Sequence, residues 1–550
     1  MRRIAVAAMA LAIAVWPTAT RTATGQAQRI SLTATTANEA IAPGDLIDRL
    51  LRSRELEVRR QRQEPLLPGR TFQQIDQFHD GIPIWGAGVS RELQGSDTVA
   101  VFGELYVPLS VDTVPTIGQA DAKARIEQIG GDTLGPTRQP LLTLVPDQGR
   151  LTLAWVGEIA TASGAWRLFI DASDGSELRR EHAARTQLPD TSYVGHGRGV
   201  LGDEKKISTA PESGGFIAFD TIRPPAIATF DLRQNATRAR QVLNGLVDLT
   251  VSDYASTTSS NEWTDGANVD AHVYSSLTYD YYFKRFGRRG LDNDDFPIIN
   301  ITHQARRADL ATATDTTPWF NAFWYDGFNA MFYGEGCGCT TTAFGYGPQF
   351  VDYLAGALDV VGHELTHGVT SFSSGLIYAN EAGALDESFS DIMGTSVEFF
   401  YQAPGTGKLK ADYLIGEDVI SAASATALDG IRSMENPVLY GDRDHYSRRY
   451  IGTADNGGVH INSGISNQAF YLAVEGGTNR TSGLRVQGVG SANREQVEKV
   501  FYLAFTSMLP RNATFALARA TTLRAAQDLY GPSSAAYAAV RDAWTAVGVN

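Results

Sequence analysis

The sequence predicts an α+β chain of two lobes, one strand-rich and one mainly helical, preceded by a smaller segment of mixed strands and helices. Three observations carry that expectation. Short alternating runs rich in Gly, Thr, Asp and aromatic residues fill 193–355, and from about 356 they give way to long helical patterns. A polar stretch near 181–192 separates both from a segment at 45–180 in which the two kinds of pattern are mixed. The 550 residues allow about three or four domains, and 43% hydrophobic against 20% charged residues is a globular composition.

Taken in order, Arg2 and Arg3 precede an unbroken apolar run over 4–16, followed by small and polar residues. This reads as a signal peptide over 1–24 and predicts secretion. The run is too short to span a bilayer, and no later stretch is long and apolar enough. Residues 20–45, rich in Thr and Ala, predict a flexible leader, and 45–65 a short charged helix. Residues 72–111 are strand-like, with turns at Asp80-Gly81 and Gly95-Ser96-Asp97. A helix follows over 120–129, then strands within 140–180, notably 151–159 and 166–170, which suggests one or two small mixed domains. The polar stretch 181–192 is an exposed, cleavable kind of linker. Within 193–355 one helix stands out near 270–285, and further helices are expected over 356–372, 381–401, 462–475, 491–508, 512–529 and 533–546.

The net charge of −14 speaks against nucleic acid as a partner, because phosphate binding needs a basic face, and nearly all the acidic excess lies after residue 187. Only two cysteines occur, Cys337 and Cys339, in the run Gly-Glu-Gly-Cys-Gly-Cys. An exported fold with no disulfide framework must be held by its core, with metal ions as a second source of stability. The pair can be free or bridged locally, and no further cysteine exists to complete a zinc site with it.

The chemistry concentrates in HELTH at 363–367. Residues 357–370 are helix-compatible, with Leu358, Val361, Leu365 and Val369 on one side. His363 and His367 stand four apart, so both imidazoles project from one face and can bind one ion. Zinc suits two imidazoles plus one carboxylate, with the fourth position left to water. Glu364, beside the first ligand, can take the proton of that water, whose pKa zinc lowers to roughly 7. A surface helix with two unrelated histidines is the bland alternative for five such residues alone. The block NEAGALDESFSD at 380–391 opens a second helix, in which Glu387 and Asp391 share a face. One can be the third ligand while the other accepts a hydrogen bond from a ligand histidine. A third block, DNGGVHINSG at 455–464, presents His460 on a two-glycine loop between Asp455 and a helix start, where an imidazolium can stabilise an oxyanion.

In this order, the three blocks resemble the thermolysin-like family of neutral zinc metalloendopeptidases (the thermolysin and bacillolysin type), from about residue 194 to the C-terminus. The resemblance implies a two-lobed metalloprotease with zinc in the cleft between a strand-rich subdomain at 188–355 and a helical one at 356–550, and no accessory domain beyond it. It implies His363, His367 and Glu387 as ligands of one catalytic Zn2+, with Glu364 as general base. Asp391 would orient His363, and Asp386 would accept a hydrogen bond from His367. His460, oriented by Asp455, and Tyr378 would stabilise the transition state. Asn321, Ala322, Phe323 and Trp324 are similar to the family's edge strand, which pairs with extended substrate. Arg432 matches the arginine that contacts the substrate carbonyl, and Val360 and Ile431 would line a pocket for a bulky apolar residue after the scissile bond. Asp359, Glu398, Asp412 and Glu417 match a carboxylate cluster that takes one or more structural Ca2+ ions, since acids packed together need a hard cation. Two departures stand out: the loop 419–431 is longer than the family's, and Asp386 replaces the Asn of many members.

Residues 72–86 resemble the fungalysin/thermolysin propeptide motif, within a unit at about 45–110, and about 115–182 resemble a PepSY-type domain. So 25–187 reads as a propeptide, cut off between Arg180 and Val194. The partners implied are protein and peptide substrates and the chain's own propeptide, as intramolecular inhibitor and folding aid. The processed enzyme would be a monomer with no nucleic-acid or membrane partner. Two other classes remain. A catalytically silent, metal-stabilised binding protein on the same fold would be expected to have lost Glu364, Tyr378 or His460, and all three are present. The first 180 residues could also act alone as a protease inhibitor.

Overall fold

A computed structural model describes residues 24–130, 139–147, 150–161, 164–182, 193–312, 318–343 and 347–550. The signal peptide lies outside these residues except for Thr24, and so does the 183–192 part of the expected junction.

The strands of the N-terminal segment form one nine-stranded sheet over two hydrophobic cores. Its strands are β1 (Thr24–Ala34), β2 (Leu56–Gln63), β3 (Arg70–His79), β4 (Ile82–Gln94), β5 (Asp97–Ser110), β6 (Leu141–Asp147), β7 (Arg150–Thr161), β8 (Gly164–Asp171) and β9 (Glu177–His182). The order is β2-β3-β4-β5-β1-β7-β8-β9, with β6 pairing β4 and β7. Helix α1 (Ala37–Ser53) buries Ala40 and Ile47 against Val89, Val101 and Leu105, and α2 (Gln119–Gly130) buries Ala122 and Ile126 against Leu153 and Leu168. Two expectations change here. The supposed flexible leader is the central strand β1 followed by the start of α1, where Thr36 and Glu39 form a capping box that satisfies the first free N–H groups. The supposed charged helix at 45–65 ends at Ser53, because Arg54 adopts φ 62°, and 56–63 continue as the edge strand β2. Its outward face is so polar that the alternation is hard to read.

The strand-rich lobe carries three α-helices among its described residues, two more than expected. They are α3 (Ala236–Leu243), capped by Asn235, α4 (Gly266–Phe286) and the short α5 (Arg307–Thr312). One five-stranded sheet runs in the order Phe219–Asp220, Ile227–Asp231, Ile298–Thr302, Ala330–Phe332 and Phe323–Tyr325, which leaves the last strand at an edge. Cys337 and Cys339 are bonded to each other.

The helical lobe contains α6 (Leu358–Ser371), α7 (Asn380–Tyr401), α8 (Asp455–Glu475), α9 (Arg494–Leu503) with a π-helical turn at Ala504–Met508, α10 (Phe515–Tyr530) and α11 (Ala535–Ala546). Their shared core buries Phe389, Phe501, Phe505 and Trp544, each such side chain contributing about 1.5–3 kcal/mol by leaving water. The N-terminal sheet docks on this lobe. Ser90 donates to the Ser507 carbonyl at 2.8 Å and Arg62 to the Thr506 carbonyl at 3.1 Å, both in the π turn. Arg524 of α10 donates to the Val99 carbonyl at 3.2 Å and also reaches Thr35. No helix among the described residues is long and apolar enough to cross a membrane.

Candidate active site and metal centre

Helices α6 and α7 run antiparallel and touch through glycines. A Cβ on Gly362 would lie 3.0 Å from Gly394 Cα, and one on Gly394 would meet His363 N at 2.9 Å and the Asp359 carbonyl. That closeness lets acids of α7 reach the imidazoles of α6. His363 Nδ1 faces Asp391 Oδ1 at 2.8 Å, and His367 Nδ1 faces Asp386 Oδ1 at 3.0 Å, with the Ser390 hydroxyl at 3.2 Å. Each outer nitrogen is thereby committed, which turns both Nε2 atoms toward Glu387.

The three inner groups converge. His363 Nε2 and His367 Nε2 are 3.1 Å apart, and each lies 3.5 Å from an oxygen of Glu387. Ligand atoms about 3.3 Å apart are what a tetrahedral ion with bonds of about 2.0–2.1 Å requires. Glu387 Oε2 is buried with no hydrogen-bond partner, a further sign that the set fits a cation. Burial pushes the Glu387 carboxyl up, but His460, His367, His363 and Arg432 outweigh it and bring it down to about 2. For His367, burial opposes the charge, and Asp386, Glu387 and Glu364 raise it to about 10. Asp391 is held well below the usual carboxylate range despite burial, mainly by Arg432 and His363.

The opposite wall is α8, whose start differs from the expected loop. Asp455, Asn456, Gly457 and Gly458 all take positive φ (54°, 48°, 88° and 82°), so the chain winds left-handed before the helix proper. A Cβ on Gly457 would collide with Asn380, so glycine is required there. The turn lets Asp455 accept twice from His460, at 2.9 Å from its N–H and 2.6 Å from Nδ1, and sets His460 Nε2 3.4 Å from Glu387 Oε1. His460 is raised in pKa against its burial by Glu387 and Asp455. The Tyr378 hydroxyl donates to Glu387 and lies 3.4 Å from His460 Nε2.

Glu364 Oε2 accepts from the Trp324 N–H at 3.0 Å, so the edge strand and the zinc helix are joined at this carboxylate. Of the four residues read as edge strand, Phe323 and Trp324 lie in it, whereas Asn321 and the buried Ala322 precede it. All four line a cavity of about 920 Å³ that also exposes His363, Glu364, His367 and Glu387. Val360 and Ile431 form its apolar end together with Leu354 and Ile415. Arg432 does not project freely into it: the guanidinium donates to Asp391 through Nε at 2.9 Å and Nη2 at 2.8 Å.

The acidic cluster differs from the expected set. Glu398, Glu417 and Asp418 bring oxygens within 4.8 Å of one another, and Glu398 and Glu417 leave both carboxylate oxygens buried without partners. Asp359 joins them with one oxygen bonded to the Gly416 N–H at 2.6 Å and the other unpartnered. Asp412 stands at the rim, half-buried, accepting from the Leu414 N–H at 2.7 Å. Burial and mutual repulsion push Glu417 up to about 10 and Asp359 to about 7, a repulsion that a hard cation among them would offset. Asp418 was not among the expected residues, although it directly follows Glu417. Asn467 was missed too: its Nδ2 donates to Asp391 Oδ2 at 2.8 Å, from one helical face beyond His460.

A strand-rich and a helical lobe enclosing a His–His–Glu donor set, with an unligated glutamate and a facing His–Tyr pair, define a metal-dependent hydrolase. Residues 194–371 match the thermolysin metallopeptidase catalytic domain, and 374–549 its alpha-helical domain. The chain is 36% identical over 507 residues to the thermostable neutral protease NprT of Geobacillus stearothermophilus, spanning 88% of this chain and 84% of that protein. It is 36% identical over 508 residues to a thermolysin of Bacillus sp. (strain EA1), with the same shares covered. The solved precursor of protealysin, a metalloproteinase from Serratia proteamaculans, superposes with a TM-score of 0.44 and 30% identity, over 59% of this chain and 87% of that one. The chain belongs to the thermolysin family of metallopeptidases and is a zinc metalloendopeptidase.

Proposed function

We propose that this chain is the precursor of a secreted endopeptidase that cleaves protein and peptide substrates before bulky apolar residues, and that residues 25–187 are a prodomain holding it inactive. The observation that carries the reading is one cavity lined by His363, Glu364, His367 and Glu387, by the edge strand, and by Arg59, Trp85 and Arg167 of the N-terminal sheet. A substrate cannot enter while that sheet is the cavity's roof.

Zinc, when bound, supplies a Lewis acid that polarises the scissile carbonyl and lowers the pKa of a bound water to roughly 7. The chain's own residues supply the rest. Glu364, steadied by the Trp324 N–H, takes the proton of the attacking water and delivers it to the leaving nitrogen. His460, held by Asp455 and raised in pKa against its burial by Glu387 and Asp455, and the Tyr378 hydroxyl donate to the carbonyl oxygen as it gains charge. The free edge of Phe323–Tyr325 pairs with extended substrate backbone, and Val360 and Ile431 receive the apolar side chain after the scissile bond. Arg432 acts through Asp391 with its Nε–Nη2 fork, and an N–H outside that fork contacts the substrate carbonyl. Calcium held by Glu398, Glu417, Asp418 and Asp359 braces the far end of α7. The apolar run at 4–16 supports secretion.

Following the mass of the 59.4 kDa chain alongside casein cleavage tests the precursor reading. Activity is expected to appear only with a product that has lost the residues before about the 180–194 junction. Full activity of the uncut chain would overturn it.

A further inference from the structure

The N-terminal sheet grips the active site at a single loop. Residues 372–379 connect α6 to α7 and carry Tyr378 next to their last residue, Ala379. Arg59 of β2 donates to the Ser374 carbonyl at 3.4 Å. Arg511, ahead of α10, donates to the Gly375 carbonyl at 3.2 Å and accepts at its own carbonyl from the Ile377 N–H at 2.8 Å. Against this platform stands a corner of β4. The Trp85 ring centre lies 5.1 Å from the Arg511 guanidinium and 5.3 Å from that of Arg167, and Phe169 meets the indole edge-on at 4.9 Å. The next residue, Gly86, takes φ 72°, and the space a side chain would need is filled: a Cβ there would collide with Ile377 Cδ1. The indole N–H is buried without an acceptor, so shape and cation–π contact fix the corner and not a hydrogen bond.

We infer that the Trp85–Gly86 corner is the wedge by which the prodomain seats itself on the catalytic domain, and that its seat is Ile377 and Arg511, one residue before Tyr378. The inference rests on the reading of 25–187 as a prodomain and names the contact through which it holds the site. The β-strand backbone can approach Ile377 this closely only because residue 86 lacks a side chain. Arg167 and Phe169 are prodomain residues, so contacts within the prodomain orient the indole for its contact with Arg511. A cut at 183–192 touches none of these contacts, so the severed prodomain stays bound until it is itself degraded.

The test uses the full-length chain with Glu364→Gln, which blocks self-processing, and a recognition site for an added sequence-specific protease inserted within 183–192. The nicked pieces are separated by dilution and their dissociation constant measured by sedimentation. Gly86→Ala is expected to raise that constant by about tenfold or more. Adding Ile377→Val, which deletes the Cδ1 that the new methyl would meet, is expected to recover most of the loss. A positive φ strains alanine whatever surrounds it, and a prodomain misfolded for that reason would be indifferent to residue 377. A change of less than about twofold in Gly86→Ala, or no recovery with Ile377→Val, overturns the inference. Binding is read without turnover, so an inactive enzyme with an intact wedge and an active enzyme without one are told apart.

Discussion

Asp391 serves three neighbours at once: it accepts from Arg432 twice, from Asn467 at 2.8 Å, and faces His363 Nδ1 at 2.8 Å. Removing its charge leaves Arg432 buried and unpaired, so Asp391→Asn should cost about 3–5 kcal/mol in stability and about 10–100-fold in zinc affinity. Thermal denaturation and zinc competition with a chelating dye read the two separately. Glu364→Gln should behave oppositely, keeping stoichiometric zinc while kcat falls by about 10²–10⁴. A third residue ties stability to pH. His272 is fully buried beside Thr229, and burial pulls it down to about 4, with Asp220 opposing and Arg223 adding to the shift. Its folded value lies below its unfolded value of about 6.5, so the unfolded chain binds the extra proton first. Stability should therefore fall by about 3 kcal/mol as pH drops from about 6.5 to 4, a slope that His272→Gln should flatten in denaturant titrations. Helical spacing marked His363, His367 and Glu364 in the sequence and put Glu387 and Asp391 on one face, but the choice of Glu387 as third ligand came only from the family resemblance. Asn467 and Asp418 were not legible, since an amide in a helix and the second of two adjacent acids carry no spacing signal of their own.

Between elements, the decisive contact is the glycine crossing of α6 and α7 at Gly362 and Gly394. Gly394→Ala places a methyl against His363 N and the Asp359 carbonyl, so about 1–3 kcal/mol of overpacking should appear together with weakened zinc binding. Restored zinc affinity in that variant would argue against the crossing as the element that sets the ligands. Near the same helices, the unpartnered oxygens of Glu398 and Glu417 need a cation. Stripping calcium with a selective chelator should lower the melting temperature by about 5–10 °C, and Glu417→Gln should shrink that difference. The long helices were readable from their periodicity, down to the turn-bounded strands β3, β4 and β5. The leader strand β1 was not, because its pairing with β5 joins residues 67 to 84 apart, from Ala34↔Val101 to Gln26↔Ser110, and leaves only a Thr- and Ala-rich run in the local sequence. Strand β2 was hidden by polarity: six of its eight residues are Arg, Glu or Gln, four of them exposed, which imitates a solvated helix.

At the scale of the whole molecule, the N-terminal sheet meets the helical lobe through a mixed interface: Phe72, Ala100 and Phe102 join the lobe's buried apolar core, while Arg62, Ser90 and Arg524 satisfy backbone carbonyls across it. The π turn at Ala504–Met508 offers carbonyls that a regular α-helix would keep to itself, and no sequence pattern marks it. The same holds for the docking of 25–182 over the cleft, which depends on surface shape and not on periodicity. What the account stands on is a single hydrolytic centre, dependent on one ion and one glutamate, released from a precursor. The most direct measurement is cleavage of casein by the processed protein before and after removal of zinc with a chelator, followed by zinc replacement. Activity should vanish on chelation and return with zinc in the parent but not in Glu364→Gln. Cleavage that persists without zinc, or that Glu364→Gln retains, would contradict the account.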